Sequence, residues 1–238
     1  ASFFNAMAAV RRVQRGLNLW EGQDAEELAS APCPNLERQF NELIGDSMTG
    51  SIILPLCGKS YDLAWLADQG LQVVGVECSR RVIATFAAER GFELTHGDAG
   101  GEVDSFSAWY AGPCTIFEGD WFDVTPTALG GEFDLAFDHS ALVVVDPGQQ
   151  AFYAEVLRKL LKSRSRLLIV APEFDEAAVD ASLLALGPHS ISVARLQELF
   201  PDFSVRVLEE AEVGGDARFT KLRAAGVRSI AERAVLLQ

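Results

Sequence analysis

The residues best suited to chemistry lie in one turn and at one strand end. Leu56-Cys57-Gly58-Lys59-Ser60 follows a short apolar run, and Glu77 stands 19 residues past the glycine. A glycine there lets a ligand approach the backbone, and a carboxylate closing the next strand accepts from both hydroxyls of a ribose. Read as a P-loop, the Gly-Lys-Ser ending needs another glycine five residues before the Gly-Lys, so that the backbone wraps phosphates. That position is Ile53, inside the apolar run. Read as a dinucleotide fingerprint, the turn needs three glycines, and only Gly58 is present. The same gap disfavours a nicotinamide-dependent oxidoreductase. Further along, Asp138-His139 sets an acid beside a histidine, a pair able to orient an acceptor or take its proton.

What remains is a nucleoside ligand without a pyrophosphate. S-adenosylmethionine meets that description, with ribose on Glu77, adenine beyond it and an amino-acid tail at the glycine turn. The plain alternative for Glu77 is a solvated acid at a strand end.

Such residues need strand ends to carry them. The run 52–56 reads as a strand buried on both faces. A helix over 60–69 follows, with Leu63, Leu66 and Ala67 on one face and Gly70 as its stop. The next strand is 72–77, and Ser79 caps a helix over 80–90 that Gly91 ends. The stretch 92–113 is less regular. Strands are expected at 115–117, 133–137 and 166–171. Pro147 is placed to open a helix reaching about residue 162, and 193–200 is a short helix closed by Pro201. The runs 203–208 and 217–222 alternate and are expected to pair antiparallel. Strands alternating with helices imply a mostly parallel sheet covered on both faces, with ligands at the carboxyl ends of its strands. The turns at 57–60, 78, 119–122 and 138–141 are therefore where function is sought.

Composition narrows the partners. A length of 238 residues suits one domain, and 49% apolar with 23% charged residues is globular. The apolar runs 52–57, 141–145 and 167–171 fall far short of the roughly 20 residues that cross a bilayer. A net charge of −14 argues against nucleic acid and acidic membranes and favours a small-molecule partner. The four cysteines are 24, 21 and 36 residues apart, without a C-x-x-C pair, and the three histidines are scattered. No metal site is expected, and reduced thiols fit a cytoplasmic location, with an organelle as the alternative. Residues 1–15 are apolar and Arg-bearing. They read as a native amphipathic helix or, less simply, as a trimmed transit-peptide remnant.

Residues 55–79 (PLCGKSYDLAWLADQG, then VVGVECS) resemble the thiopurine S-methyltransferase family, whose thiol, thiocyanate and halide methyltransferases use S-adenosylmethionine. The resemblance continues in FEGDWFDV at 117–124, in FDLAFDHSALVVVDPG at 133–148, and in Gly187-Pro188 with the helix after it. It runs from about residue 20 to the end. It implies a single α/β domain of the Rossmann-like class I methyltransferase kind, monomeric and without metal. Its mostly parallel seven-stranded sheet has helices on both faces, with a helical cover over 1–48 and the core over 49–238. It also implies that the backbone at Leu56 and Gly58 holds the methionine tail and Glu77 the ribose. Cys78 would lie beside the adenine, and Asp120 would accept from its exocyclic amine. Trp121 would offer the adenine a flat face, core packing being its other reading. Trp20 would sit near the sulfonium, a cation favourable over a ring, or else staple the first helix.

Three departures bear on the acceptor. His139 stands where the family often has arginine, so His139, or Asp138 beside it, is expected to deprotonate or orient the acceptor while lying against the donor. A local hydrogen bond is the plainer reading. His189 and Ser190 replace a proline and an aromatic after Gly187-Pro188, and His189 is otherwise expected on a surface loop. Acids (Asp24, Glu26, Glu27) replace a Phe-His pair after Trp20. These changes point away from a thiopurine acceptor and toward a different, smaller one. The expected reaction is methyl transfer by in-line displacement to a small thiol or a similar sulfur or selenium nucleophile, giving S-adenosylhomocysteine. The alternatives are a thiocyanate or halide methyltransferase and a catalytically silent S-adenosylmethionine-binding module.

Overall fold

The computed structural model describes residues 31–46, 50–97, 106–185 and 187–238. Trp20, Asp24, Glu26 and Glu27 lie outside the described residues. The strands are β1 (Ser51–Leu54), β2 (Gln72–Glu77), β3 (Leu94–Gly97), β4 (Ser107–Ala111), β5 (Cys114–Glu118), β6 (Phe133–His139), β7 (Leu161–Glu173), β8 (Val205–Glu212) and β9 (Ala231–Leu237). They form one sheet in the order β3-β4-β5-β2-β1-β6-β7-β9-β8. The run β5-β2-β1-β6-β7 is parallel, β9 runs antiparallel to β7, and β8 antiparallel to β9. The order reverses at β1, which pairs β2 on one side and β6 on the other. In such sheets the crevice beyond that reversal is the ligand site.

Side chains on a strand alternate between faces, so neighbours in sequence go to opposite cores. Ile53, Val76, Phe117, Leu167 and Val235 join one apolar cluster, and Ile52, Leu54, Ile116, Leu168 and Ala234 join the other. The second face is covered by α1 (Pro34–Ile44), α2 (Tyr61–Asp68) and α3 (Arg80–Arg90), through Leu36, Leu63, Ile83 and Phe86. The first is covered by α4 (Ala141–Val144), α5 (Gln150–Lys159) and, beyond a short α6 (Ala181–Leu184), by α7 (Val193–Leu199). The two ends expected for α3 are present, and Ser60, expected as a helical residue, caps α2 instead. Ser60 accepts from the Asp62 amide, Ser79 from the Val82 amide, and Gly91 closes α3 in the left-handed conformation. No described helix is long and apolar enough to cross a membrane.

The structure corrects four expectations about elements. β1 stops at Leu54, because Leu56 turns to φ +44° and leaves the strand. Pro147 does not open α5. Asp146 Oδ1 accepts from the Gly148 amide at 3.0 Å and the Asp146 carbonyl from the Gln149 amide at 2.7 Å, so a turn precedes the helix. The irregular stretch 92–113 contains β3 and β4, which extend the seven expected strands to nine. Residues 217–222 are not a strand. They form a 3-10 turn, Ala217–Phe219, and the start of α8 (Thr220–Ala224), which bury Phe219 and Leu222 three residues apart. The antiparallel partner of β8 is β9 instead. Its Glu232 and Arg233 mask a strand because both charges are paired: Glu232 with Arg218, and Arg233 with Glu173 and Glu210.

Candidate active site

The carboxyl ends of β1, β2, β5 and β6 lie side by side, and each contributes one turn to a common rim. The turn after β1 is held by its own backbone. Leu56 and Gly58 take φ +44° and +55°, a region that disfavours any residue with a Cβ. Such strain persists only where the surroundings fix it, and it collects at ligand sites. Here the Cys57 amide donates to the Val76 carbonyl at 3.0 Å, and the Ser60 amide donates to the Cys57 carbonyl at 3.2 Å. The Cys57 thiol then rests over Gly75 of β2. A Cβ on Gly75 would lie 2.6 Å from the Cys57 sulfur, so the strand needs glycine there to seat the turn.

Glu77 closes β2 and faces that turn with 3% of its surface exposed. Oε2 accepts from the Gly58 amide at 3.1 Å, and Oε1 accepts from the Ser79 amide at 2.9 Å and from the Cys78 thiol at 3.4 Å. Burial raises its carboxyl above the ordinary value, against the Ser79 amide, the Cys78 thiol and the Gly58 amide, which hold it down. Burial and the neighbouring Glu77 charge push the Cys78 thiol up as well. A carboxylate has about four lone-pair positions. The backbone uses two, one stays open on Oε2, and a thiol is a weak donor that a hydroxyl can displace from Oε1. The carboxylate therefore fits a ribose diol while keeping its grip on the glycine turn.

After β5, Asp120 Oδ1 accepts from the Phe122 amide at 3.0 Å and starts a 3-10 turn, Trp121–Asp123. Trp121 is 1% exposed and packs on Tyr153, with ring centroids 5.4 Å apart. The flat face expected for an adenine is spent on the core, and only the backbone of Trp121 remains for a ligand at this turn.

The turn after β6 separates the two expected acid–base residues. Asp138 points inward and is 1% exposed. Its Oδ1 accepts from the Ala141 and Leu142 amides at 3.0 and 3.2 Å, and its Oδ2 accepts from the Tyr153 hydroxyl at 2.7 Å. Burial raises this carboxyl, against those three donors. Asp138 thus holds the turn and α4 in place and does not face an acceptor. His139 points to the rim with 27% of its side chain exposed, and its Nδ1 lies 3.6 Å from Asp62 Oδ2. Burial alone would lower its pKa, but the neighbouring Asp62 and Cys33 side chains, Asp62 also through its charge, raise it to about 10. An imidazole held charged beside Asp62 is a poorer proton acceptor, which weighs against the base expected at this position.

Asp62, in the first turn of α2, is the residue that the sequence reading passed over. It is buried. Its Oδ1 accepts from the Cys33 amide at 2.6 Å and its Oδ2 from the Ser60 hydroxyl at 2.7 Å. The signal was present in the quoted segment, as a carboxylate two residues after the capping serine. Cys33 and Tyr153 carried no local signal, because their partners are 29 and 15 residues away.

The loop at 187–190 also differs from expectation. His189 is buried at 6% exposure, not on a surface loop. Its amide donates to the Val143 carbonyl at 2.7 Å, and its Nδ1 lies 3.7 Å from Glu176 Oε1. Ser190 Oγ accepts from the Phe174 amide at 2.9 Å, which fastens the loop to the end of β7. A separate cavity of about 680 Å³ opens beyond β7, between Glu173, Asp175, Arg228 and Arg233, and none of the rim residues lines it.

Comparison with known proteins places this geometry. A family model described as thiopurine S-methyltransferase matches residues 24–238. A thiopurine S-methyltransferase of Pseudomonas putida is 35% identical over 182 residues, 76% of this chain and 79% of the relative. One from Pseudomonas entomophila is 34% identical over 192 residues, 78% and 81% of the two chains. Among solved structures, a DhpI–S-adenosylhomocysteine complex aligns with TM-score 0.57 at 15% identity, covering 95% of this chain and 96% of that one. A 1,6-didemethyltoxoflavin N1-methyltransferase from Burkholderia thailandensis aligns with TM-score 0.53 at 16% identity, covering 95% and 84%. At such identities the structural matches establish the fold, that of class I methyltransferases.

Proposed function

The chain belongs to the thiopurine S-methyltransferase family, and from that premise we propose that it methylates a small-molecule thiol or a related sulfur or selenium nucleophile. It is an S-adenosylmethionine-dependent methyltransferase. The observation that carries the reading is the Glu77 carboxylate at the strand end, bonded to Gly58 with lone pairs to spare.

The donor supplies a methyl group already activated on a sulfonium. The protein therefore has to align, exclude water and favour the attacking anion. Glu77 holds the ribose, and the left-handed turn at Leu56 and Gly58 leaves its backbone open to the methionine tail. Cys78 and Asp120 flank the adenine, with the backbone of Trp121 behind them. Cys33, tied to Asp62, fixes the start of α1 at the rim.

Neither Asp138 nor His139 is free to take a proton, so the acceptor enters as its anion and its proton passes to solvent. The acceptor sulfur then attacks the methyl carbon in line. A new carbon–sulfur bond forms as the sulfonium bond breaks, giving a thioether and S-adenosylhomocysteine. The charged His139 ring favours the anion, a role the family's arginine would fill. A soft anion such as thiocyanate or iodide meets the same requirement and is the second reading.

Calorimetry with S-adenosylhomocysteine tests the donor site, and complete absence of binding would overturn the reading. A panel of thiols, thiocyanate and iodide then identifies the acceptor class. Binding without turnover on any of them would leave a silent binding module.

A further inference from the structure

We propose that Asp62 is a positioning residue: it locks His139 at the rim as a fixed cation, so that the ring holds an anionic ligand group instead of accepting a proton. This inference rests on the methyltransferase reading for its ligand and on geometry for the clamp.

Three parts of the chain meet at this one buried carboxylate. The Cys33 amide comes from the segment before α1, the Ser60 hydroxyl from the donor turn, and the His139 ring from the end of β6. The first two donors are neutral, and among the described residues the only cation paired with Asp62 is His139. The nearby Lys59 is paired with Glu89 at 3.2 Å. A buried carboxylate needs a charged partner or must lose its own charge, so the ring that faces it is held in its protonated form.

The groups facing His139 all favour that form or are neutral. They are Asp62 from α2, Cys33 from the segment before α1, and, on its own strand, Asp138 with the Phe137 ring. Nδ1 is turned to Asp62, and about a quarter of the side chain is open at the rim. The ligand chemistry is an anion with hydrogen-bond acceptors. Two sources offer it, the carboxylate of the donor's amino-acid tail and the ionised sulfur of the acceptor. Asp62 also explains how this chain does without an arginine. A histidine alone would lose its charge near neutrality, whereas a clamped one keeps it.

The test is a titration of the histidine ring signals by NMR, in the full chain, with His139→Gln to assign the resonance. His139 of the unmodified chain is expected to stay charged beyond about pH 8. Asp62→Asn is expected to return it to the ordinary range near 6.5. The response to the anion, read as S-adenosylhomocysteine affinity for the donor's carboxylate or as acceptor KM for the acceptor, is expected to be flat from about pH 6 to 8 in the unmodified chain, and to weaken about tenfold across that window in Asp62→Asn. His139→Arg is expected to restore the flat profile. If the donor's carboxylate is the anion, His139→Ala weakens S-adenosylhomocysteine. If the acceptor is, it raises the acceptor KM and leaves that affinity in place. A His139 that titrates near 6.5 in the unmodified chain would overturn the proposal, and that measurement needs no variant to fold. A folded Asp62→Asn with a flat pH profile in both S-adenosylhomocysteine affinity and acceptor KM would overturn it too. A chain that binds no S-adenosylhomocysteine while His139 stays charged would sink the methyltransferase reading and leave the clamp standing.

Discussion

The proposed donor side and the proposed acceptor side of the rim are built differently. On the donor side, between β1 and β2, the parts are backbone amides, one glycine turn and one carboxylate. Their positions follow from sequence spacing, because strand, turn and helix lengths fix where Gly58 and Glu77 fall. On the acceptor side, around β6 and the 187–190 loop, the parts are side chains paired across long stretches of chain: Asp62 with His139, Tyr153 with Asp138, Glu176 with His189. The donor is the same throughout a family and needs a constant frame. The acceptor varies, and side-chain pairs can change without disturbing the sheet.

The contrast breaks most sharply at Glu77. Glu77→Ala removes both ribose acceptors and releases Gly58, so affinity for S-adenosylhomocysteine should fall about 100-fold, ~3 kcal/mol, by calorimetry. The acceptor KM should move far less. Gly75→Ala comes next. Its Cβ would collide with the Cys57 sulfur at 2.6 Å, and urea unfolding should show a loss of about 2 kcal/mol. Adding Cys57→Ala should return much of it, which would place the cost in the seat of the donor turn. Tyr153→Phe acts on the other side. It removes the hydroxyl that donates to Asp138 at 2.7 Å, leaving a buried oxygen without that donor. A stability loss of about 1–2 kcal/mol is expected, with turnover lowered through the acceptor KM and little change in donor affinity.

A further effect is the pH dependence of the Asp62–His139 pair. His139 is raised on folding, so the pair contributes fully below its unfolded value near 6.5. That contribution fades as pH rises toward about 10. The difference in unfolding midpoint between the unmodified chain and Asp62→Asn should shrink across that window. A constant difference would mean that Asp62 acts only through Cys33 and Ser60.

Legibility in the sequence follows the same division. The strands from β1 to β7 that carry the site were readable because their apolar runs lie between capping serines and stop glycines. β3 was not, because an edge strand with exposed residues such as Thr95 and His96 has no apolar pattern to read, and β4, paired between β3 and β5, is only five residues long. β9 hid behind Glu232 and Arg233, whose charges are satisfied only by residues far along the chain. Spacing alone placed the glycine turn and Glu77 at adjacent strand ends, where they bond to each other. Asp138 and His139 were found as neighbours, but adjacent residues on a strand face opposite ways, and the two serve different partners. Trp121 was misjudged because an aromatic at a strand end looks the same whether it meets a ligand or Tyr153. Asp62 was overlooked because a carboxylate in the first turn of a helix usually needs no further explanation.

The central claim is best tested by supplying methyl-labelled S-adenosylmethionine to the purified protein with a series of small thiols, and with thiocyanate and iodide alongside. Thiol methylation requires label in a thioether, with one equivalent of S-adenosylhomocysteine formed for each. Label passing to iodide or thiocyanate and to no thiol, or to none of them despite donor binding, would contradict it.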